Sequence, residues 1–377
     1  MVRIKSTEAA MAHAQSFRSA VLRLTDYEPG RSVQAVARDF GIPLHDIVKL
    51  SSNENTFGPS PAALAAISSE YANLYMYPWE EFTDLKEAVA LANGVKAANV
   101  VLSSGSEQLV QVLPQLYVNP GDEVIVAPQT YERYEEACLL MDAVVRHVPL
   151  RDYRHDVEAI AAAVTVKTKI IWICNPNNPT ATILTAEELG FLLEAVPVSV
   201  AVVLDQAYYE FVEDPAYANG LDFLKDGHPN VITLRTFSKA YALAGLRLGF
   251  ALADPVVCQM LDRIHEPFFL NRAATAAGPA ALGDRTWLEA CRRSVDEGRR
   301  LLTRELEAIG LSVVPSQANF ILVDVAMDAR NLFERMMAVG VIVRPADGWG
   351  YPHHIRITVG KPDENRRLIE VLHMMLG

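Results

Sequence analysis

Short apolar, β-branched runs alternate with amphipathic stretches from Asn99 onward, and this alternation constrains the fold more than any other feature of the chain. Strands are expected over Val100 to Ser103, Glu123 to Ala127, Lys169 to Cys174, Ala201 to Leu204 and Val231 to Arg235, with Leu248 to Ala253 as a further one. Such runs, separated by helical stretches, imply an α/β architecture with a mostly parallel sheet covered on both faces. Ligands of these sheets bind at the carboxyl ends of the strands, so what directly follows each strand is informative. Here it is Gly105-Ser106-Glu107-Gln108, Tyr131, Asn175-Pro-Asn-Asn-Pro-Thr, Asp205-Gln-Ala-Tyr208 and Thr236-Phe-Ser-Lys239. One edge of the sheet is therefore expected to collect the polar chemistry.

At 377 residues the chain can bury a large core and is long enough for two domains. After Asp254-Pro255 the pattern changes to long helices, 255 to 265 and 286 to 309. Two strand-like runs follow, from Asn319 to Val323 and from His354 to Val359, with helices over 328 to 339 and 363 to 376. These elements read as a smaller α+β domain. At the other end, residues 7 to 24 have helical periodicity until Tyr27-Glu-Pro-Gly breaks it, and a short helix over Val33 to Phe40 is closed by Gly41 and Pro43. The run Lys49-Leu-Ser-Ser-Asn-Glu-Asn-Thr-Phe-Gly-Pro is extended and rich in small polar residues, as befits a segment lying across the surface or over a site. The expected division is an N-terminal arm over 1–48 packing with the small domain, a large domain over 49–272 and a small C-terminal domain over 273–377.

A formal charge of −12, with no stripe of lysine or arginine interleaved with aromatics, opposes a nucleic-acid partner. The longest apolar runs fall far short of a bilayer span, so no membrane association is expected. The N-terminus carries Glu8 and a helical pattern where a secretory signal would have an unbroken apolar stretch. Cys138, Cys174, Cys258 and Cys291 are scattered, without the pairing of a zinc site or the density of a disulfide framework, which suits small core residues in a reducing cytoplasm. His353-His354 reads as a surface pair, since neighbouring residues point apart and no third ligand sits at metal spacing. No metal site is expected. A nicotinamide oxidoreductase is disfavoured because no Gly-x-Gly-x-x-Gly follows an early strand.

The stretch Thr236-Phe-Ser-Lys-Ala-Tyr-Ala-Leu-Ala-Gly-Leu-Arg247 carries the most specific chemistry. Hydroxyls at Thr236 and Ser238 and the guanidinium of Arg247 suit a phosphate dianion. A lysine kept from bulk water, as Lys239 would be after a buried strand, has its pKa pulled down and becomes an amine nucleophile toward an aldehyde. A phosphorylated aldehyde answers both demands, and the candidate is pyridoxal 5'-phosphate.

Taken with Tyr27-Glu-Pro-Gly-Arg, Ser52-Asn-Glu-Asn, Tyr77-Pro, Gly105-Ser-Glu, Asn175-Pro-Asn-Asn-Pro-Thr, Asp205-Gln-Ala-Tyr and Arg356-Ile-Thr-Val-Gly, this stretch resembles the fold type I pyridoxal-phosphate enzymes. The resemblance is to the class I/II aminotransferases of the histidinol-phosphate group, and it runs nearly end to end. It implies transamination between glutamate/2-oxoglutarate and imidazole-acetol phosphate/L-histidinol phosphate. It implies that Lys239 holds the cofactor and shuttles the proton, that Asp205 pairs with the pyridine nitrogen, and that Tyr208 and Asn178 donate to the ring's phenolic oxygen. Tyr131 would stack on the ring, while Gly105, Ser106 and Glu107, opening a helix, would seat the phosphate with Thr236, Ser238 and Arg247. Arg356 and Arg344 resemble the arginines that clamp substrate anions, Tyr27 a pocket-lining tyrosine, and Tyr77 the tyrosine that reaches the cofactor phosphate of a partner subunit in a homodimer.

Three departures stand out. Ala181 replaces a glycine in the Asn-Pro-Thr-Gly turn, Gln206 replaces a glutamate outside the ring-contacting positions, and Phe269 replaces a polar residue at a position expected to face the pocket. The neighbouring alternatives are an aromatic 2-oxo acid as second substrate, decarboxylation of a phosphorylated amino acid on the same scaffold, and a non-catalytic cofactor-binding module.

Overall fold

The computed structural model describes residues 16–24 and 30–376. Its strands begin with β1 (Val48–Lys49), β2 (Val100–Ser103), β3 (Glu123–Val126), β4 (Val144–His147), β5 (Thr168–Cys174), β6 (Ala201–Asp205), β7 (Val231–Thr236) and β8 (Gly249–Leu252). All but β1 form a seven-stranded sheet in the order β2-β8-β7-β6-β5-β3-β4. Neighbours from β4 through β7 pair in parallel, whereas β8 runs antiparallel to both β2 and β7. The expected mostly parallel sheet is thus present, and its strands other than β4 are buried because both faces are covered. Strand β5 shows the period of two: Ile170, Trp172 and Cys174 enter one core, Ile171 and Ile173 the other. Strand β4, absent from the sequence reading, forms the sheet's edge and is largely exposed, so its Val-Val-Arg-His carries no apolar signal.

The helix Arg272–Gly283 was also not legible, being Ala-rich with Gly278 and Pro279 inside. Its small face lets it pack closely on Pro61–Ser69 and Glu80–Asn93, where Ala274, Ala277 and Ala281 join Leu85, Val89 and Phe250 in one core. It therefore packs with the large domain, and we propose that the division falls after Gly283.

Beyond it, the long helix Arg285–Ala308 leads into β9 (Ser312–Val314), β10 (Phe320–Asp324), β11 (Val341–Ile342), β12 (Arg344–Pro345) and β13 (His354–Thr358). An antiparallel sheet of order β12-β13-β10-β9 buries Phe320, Ile321, Val323, Ile355 and Ile357 against Leu302, Leu332 and Leu368 of the flanking helices. Strand β11 pairs in parallel with β1 instead. That pairing ties the arm to the small domain, and Val36 of the helix Val33–Phe40 packs there on Met337 and Ile342. The helix is capped by Ser32, whose hydroxyl accepts from Ala35 N–H, and is closed by Gly41 at φ +67°. Of the helix expected over 7 to 24, only Ser19–Leu22 is seen; residues 1–15 lie outside the described residues.

His354 corrects the reading of a surface pair. It is 8 % exposed, on a strand whose other face is covered, and its ring nitrogen meets the Tyr153 hydroxyl at 3.1 Å; only His353 is exposed. All four cysteines are buried and free. Among the described residues no helix is long and apolar enough to cross a membrane.

Candidate active site

The polar groups after β2, β5, β6 and β7 meet side chains of the small domain around one cavity of about 320 Å³. Twelve of the residues singled out in the sequence line it: Ser106, Glu107, Tyr131, Asn178, Asp205, Tyr208, Thr236, Ser238, Lys239, Arg247, Arg344 and Arg356.

One end is an anion cradle built from backbone. The helix Ser106–Tyr117 starts at Gly105, which stands at φ +72° and supplies no capping side chain. Its first N–H groups are left to a ligand. A Cβ at Gly105 would meet Arg247 Nη2 at 2.4 Å, so only glycine lets that guanidinium lie against the helix start. Ser238 N–H donates to Thr236 Oγ1 at 3.1 Å, and the two hydroxyl oxygens lie 3.0 Å apart. Arg247 Nη1 reaches Ser238 Oγ at 3.5 Å.

The middle of the cavity holds the titratable groups. Asp205 ends β6 and is 5 % exposed; it accepts from the Tyr134 hydroxyl at 2.7 Å and from Ala207 N–H at 3.1 Å. Burial pushes its carboxyl up to about 6, against the pull of those two donors. Lys239 Nζ lies 5.7 Å from the centre of the Tyr208 ring and 3.4 Å from the Ser52 carbonyl oxygen. Burial first, then Arg356 and Arg247, bring its amine down to about 8, while Glu54 and Asp205 oppose the shift. A buried acid and a lysine with far more neutral amine near pH 7 than a free lysine has suit addition to a carbonyl and proton transfer. The Tyr208 hydroxyl accepts from Asn53 Nδ2 at 3.1 Å, and its ring meets Phe320 edge-on at 5.0 Å. Tyr131 donates to Glu107 at 2.7 Å, which also accepts from Arg133 Nε at 2.9 Å and so fixes the ring as a wall.

The far end is cationic. Arg356 on β13 is 6 % exposed; it donates to Asn178 Oδ1 at 2.6 Å and to the Ser51 carbonyl at 2.7 Å. Arg344 on β12 stands directly opposite it in the antiparallel register. Trp349 is shared, 5.3 Å from the Arg356 guanidinium carbon and 5.8 Å from that of Arg344.

Other singled-out residues lie elsewhere. Tyr77 is 74 % exposed and stacks on Phe268 at 4.6 Å, outside the cavity of its own chain. Tyr27 lies outside the described residues. Phe269 does not face the pocket of its own chain as expected; it packs against Phe82 and His265 because the Phe82 ring offers an edge-on partner at 5.3 Å. Gln206 points away, donating to the Ala218 carbonyl at 2.8 Å. Ala181 adopts φ +61° while fully buried, so the methyl is accommodated in a left-handed turn.

Sequence reasoning missed Tyr134, Asn53, Ser51 and Trp349. Asn53 sits inside a quoted motif, but Tyr134 and Trp349 offer only proximity, three residues after Tyr131 and between the two arginines.

A family model, Aminotransferase class I and II, matches residues 45–372. A histidinol-phosphate aminotransferase of Moorella thermoacetica is 41 % identical over 373 residues, covering 99 % of this chain and 96 % of the relative. A histidinol-phosphate aminotransferase 2 of Pseudomonas aeruginosa is 42 % identical, covering 95 % of this chain and 96 % of its own. Among solved structures, that of the Sinorhizobium meliloti histidinol-phosphate aminotransferase in complex with pyridoxal-5'-phosphate superposes with a TM-score of 0.85 at 30 % identity, covering 96 % of this chain and 98 % of the other.

Proposed function

The chain belongs to the class I and II aminotransferases, and from that premise we propose that it moves an amino group between glutamate/2-oxoglutarate and imidazole-acetol phosphate/L-histidinol phosphate. The observation that carries the choice of substrate is the placement of Arg344 and Arg356 opposite each other across β12 and β13, at one end of the cavity that holds Lys239. A carboxylate engages one guanidinium bidentately, whereas a phosphate dianion makes use of two.

Pyridoxal 5'-phosphate fits the remaining residues. The uncapped helix start at Ser106, the space that a Cβ at Gly105 or Gly249 would fill, and Ser238, Thr236 and Arg247 suit its phosphate. Asp205 would hold the pyridine nitrogen protonated, with Tyr134 keeping the carboxylate in place, while Tyr131, Asn178 and Tyr208 would border the ring. Bound there, the cofactor supplies a ring that withdraws electrons from the substrate's α-carbon. Lys239 Nζ would hold the aldehyde between turnovers and carry the proton to and from that carbon. Arg356 would orient the substrate by its anion, with Asn178 Oδ1 and the Ser51 carbonyl fixing its plane.

The same reading carries a cytoplasmic homodimer. Tyr71, Leu74, Tyr75, Tyr77 and Trp79 are exposed together with Phe268, an apolar patch that suits a second copy. Tyr77, remote from its own cavity, would reach the partner's cofactor phosphate.

The two half-reactions test the substrate assignment separately. Arg356→Ala should slow both, and Arg344→Ala chiefly the one with L-histidinol phosphate, each by about ten- to a hundredfold in kcat/KM for a lost charge-assisted contact. Equal losses in both half-reactions for Arg344→Ala remove its phosphate role. A wild-type enzyme inert toward L-histidinol phosphate but active on an aromatic 2-oxo acid moves the function to that substrate.

A further inference from the structure

A second cavity, of about 610 Å³, opens between the loop after β6 and the start of the helix Arg285–Ala308. It shares no lining residue with the active site. Arg235 of β7 lines it and is 3 % exposed. Neutral amides hold that guanidinium: Nη1 donates to Asn93 Oδ1 at 2.6 Å, and Nη2 to Asn219 Oδ1 at 2.9 Å and Gln206 Oε1 at 3.4 Å. Its carbon sits 3.6 Å from the centre of the Tyr209 ring, and Nε is buried with no acceptor. Among the described residues it forms no ion pair, although an unpaired buried charge is costly.

Two more guanidinium groups, Arg285 and Arg292, stand exposed at the rim in the first turns of the helix, and among the described residues neither forms an ion pair. The helix start itself is capped by Asp284, whose carboxylate accepts Trp287 N–H at 3.2 Å. Three carboxylates also line the cavity, and none of them lies within ion-pair distance of Arg235, Arg285 or Arg292. Glu213 is engaged by Arg299 and Arg300, and Asp214 accepts Ala216 N–H at 2.9 Å. Glu210 is 9 % exposed, and burial pushes its carboxyl up to about 7 against the pull of Arg235 and Arg292. The rest of the wall is aromatic and aliphatic, with Tyr241, Phe250, Leu282 and Leu288.

We propose that this cavity is a second ligand site, for a small aryl carboxylate whose carboxylate lies among Arg235, Arg285 and Arg292 and whose ring packs on Tyr241 and Leu288. An anion supplies the countercharge that the amides around Arg235 do not, and a planar body suits the aromatic wall. The inference stands whatever the second substrate of the active site.

The test titrates the cofactor-loaded enzyme with benzoate, following heat and the cofactor's absorption band in parallel. The expected result is a binding isotherm without a change in that band, weakened about ten- to a hundredfold in the Arg285→Ala/Arg292→Ala double variant with turnover unchanged. Leu288→Trp, which fills the cavity without altering its charge, should remove the same binding, and benzamidine, the cationic counterpart, should not bind. Benzoate binding that ignores both variants, that benzamidine matches, or that occurs only with a shift of the cofactor band overturns the proposal. So does the absence of heat up to roughly 10 mM benzoate.

Discussion

Gly249→Ala is the sharpest probe of the phosphate cradle, because the clash it creates is with backbone that cannot rotate away. An added Cβ would lie 2.5 Å from Ser106 N, 2.7 Å from Gly105 C and 3.1 Å from Arg235 O. Ordinary contact begins at 3.4 Å, so the Ser106 amide would have to retreat by 3.4 − 2.5, or about 0.9 Å. A hydrogen bond of about 2.9 Å stretched by that much no longer counts as one. Overpacking of this kind costs about 1–3 kcal/mol, and the lost contact to a charged group a further ~1.5–3 kcal/mol of ligand binding. The cofactor's dissociation constant should therefore rise about ten- to a hundredfold. Equilibrium dialysis of the apo variant against pyridoxal phosphate measures this, while thermal unfolding of the apo protein gives the packing cost separately. Wild-type cofactor affinity in a folded Gly249→Ala protein would refute the placement of the phosphate at the start of the helix Ser106–Tyr117.

Four further outcomes follow from the site. Lys239 has its amine lowered to about 8 by burial, so capture of pyridoxal phosphate by the apoenzyme should accelerate as pH rises through about 8 and the proton leaves; a midpoint near the ordinary 10.5 of a lysine contradicts this. Lys239→Ala should retain the cofactor non-covalently and lose turnover, which activity assays and dialysis distinguish. Tyr134→Phe removes the 2.7 Å donor to Asp205 and should lower kcat/KM by about tenfold with little loss of stability, given the value of a hydrogen bond to a charged acceptor; unchanged kinetics would deny Tyr134 a positioning role. Tyr77→Phe should loosen cofactor binding only in the assembled dimer, and equal cofactor affinity in wild type and variant dimers, measured by dialysis, would exclude the shared site.

What the sequence disclosed, and what it hid, divides along burial and distance. Strands β5, β6 and β7 were legible because burial on both faces makes them apolar runs, and the residues after them were legible because the strand ends define an edge. Strand β4 escaped because an exposed edge needs no apolar face. The helix Arg272–Gly283 escaped because its contacts depend on small residues: a Cβ at Gly278 would meet Leu85 Cδ1 at 2.4 Å, and close approach leaves no periodic large side chains to read. Tyr134 escaped because its partner, Asp205, is distant in sequence and comes near only when β3 and β6 flank β5. Arg344 and Arg356 were recognised as a pair by resemblance, but their juxtaposition depends on β12, a strand of two residues with no signal of its own. The burial of His354 belongs to the same class, since the Tyr153 that covers it arrives from the large domain.

The one reversed strand explains why the cradle closes. Because β8 runs against both neighbours, its first residue lands where β2 and β7 end: Gly249 pairs with Ser103 on one side and with Thr236 on the other. Arg247, two residues before β8, therefore emerges at the same edge as Ser106 and Ser238. Were β8 parallel to its neighbours, Gly249 and the arginine before it would begin at the opposite edge, about 10 Å away for a strand of four residues, three steps of ~3.3 Å. The direction of β8 thus brings a cation to an anion site that two strand ends and a helix start could not complete alone. The same geometry leaves no room for a side chain where the three backbones meet, which is why that position is occupied by glycine.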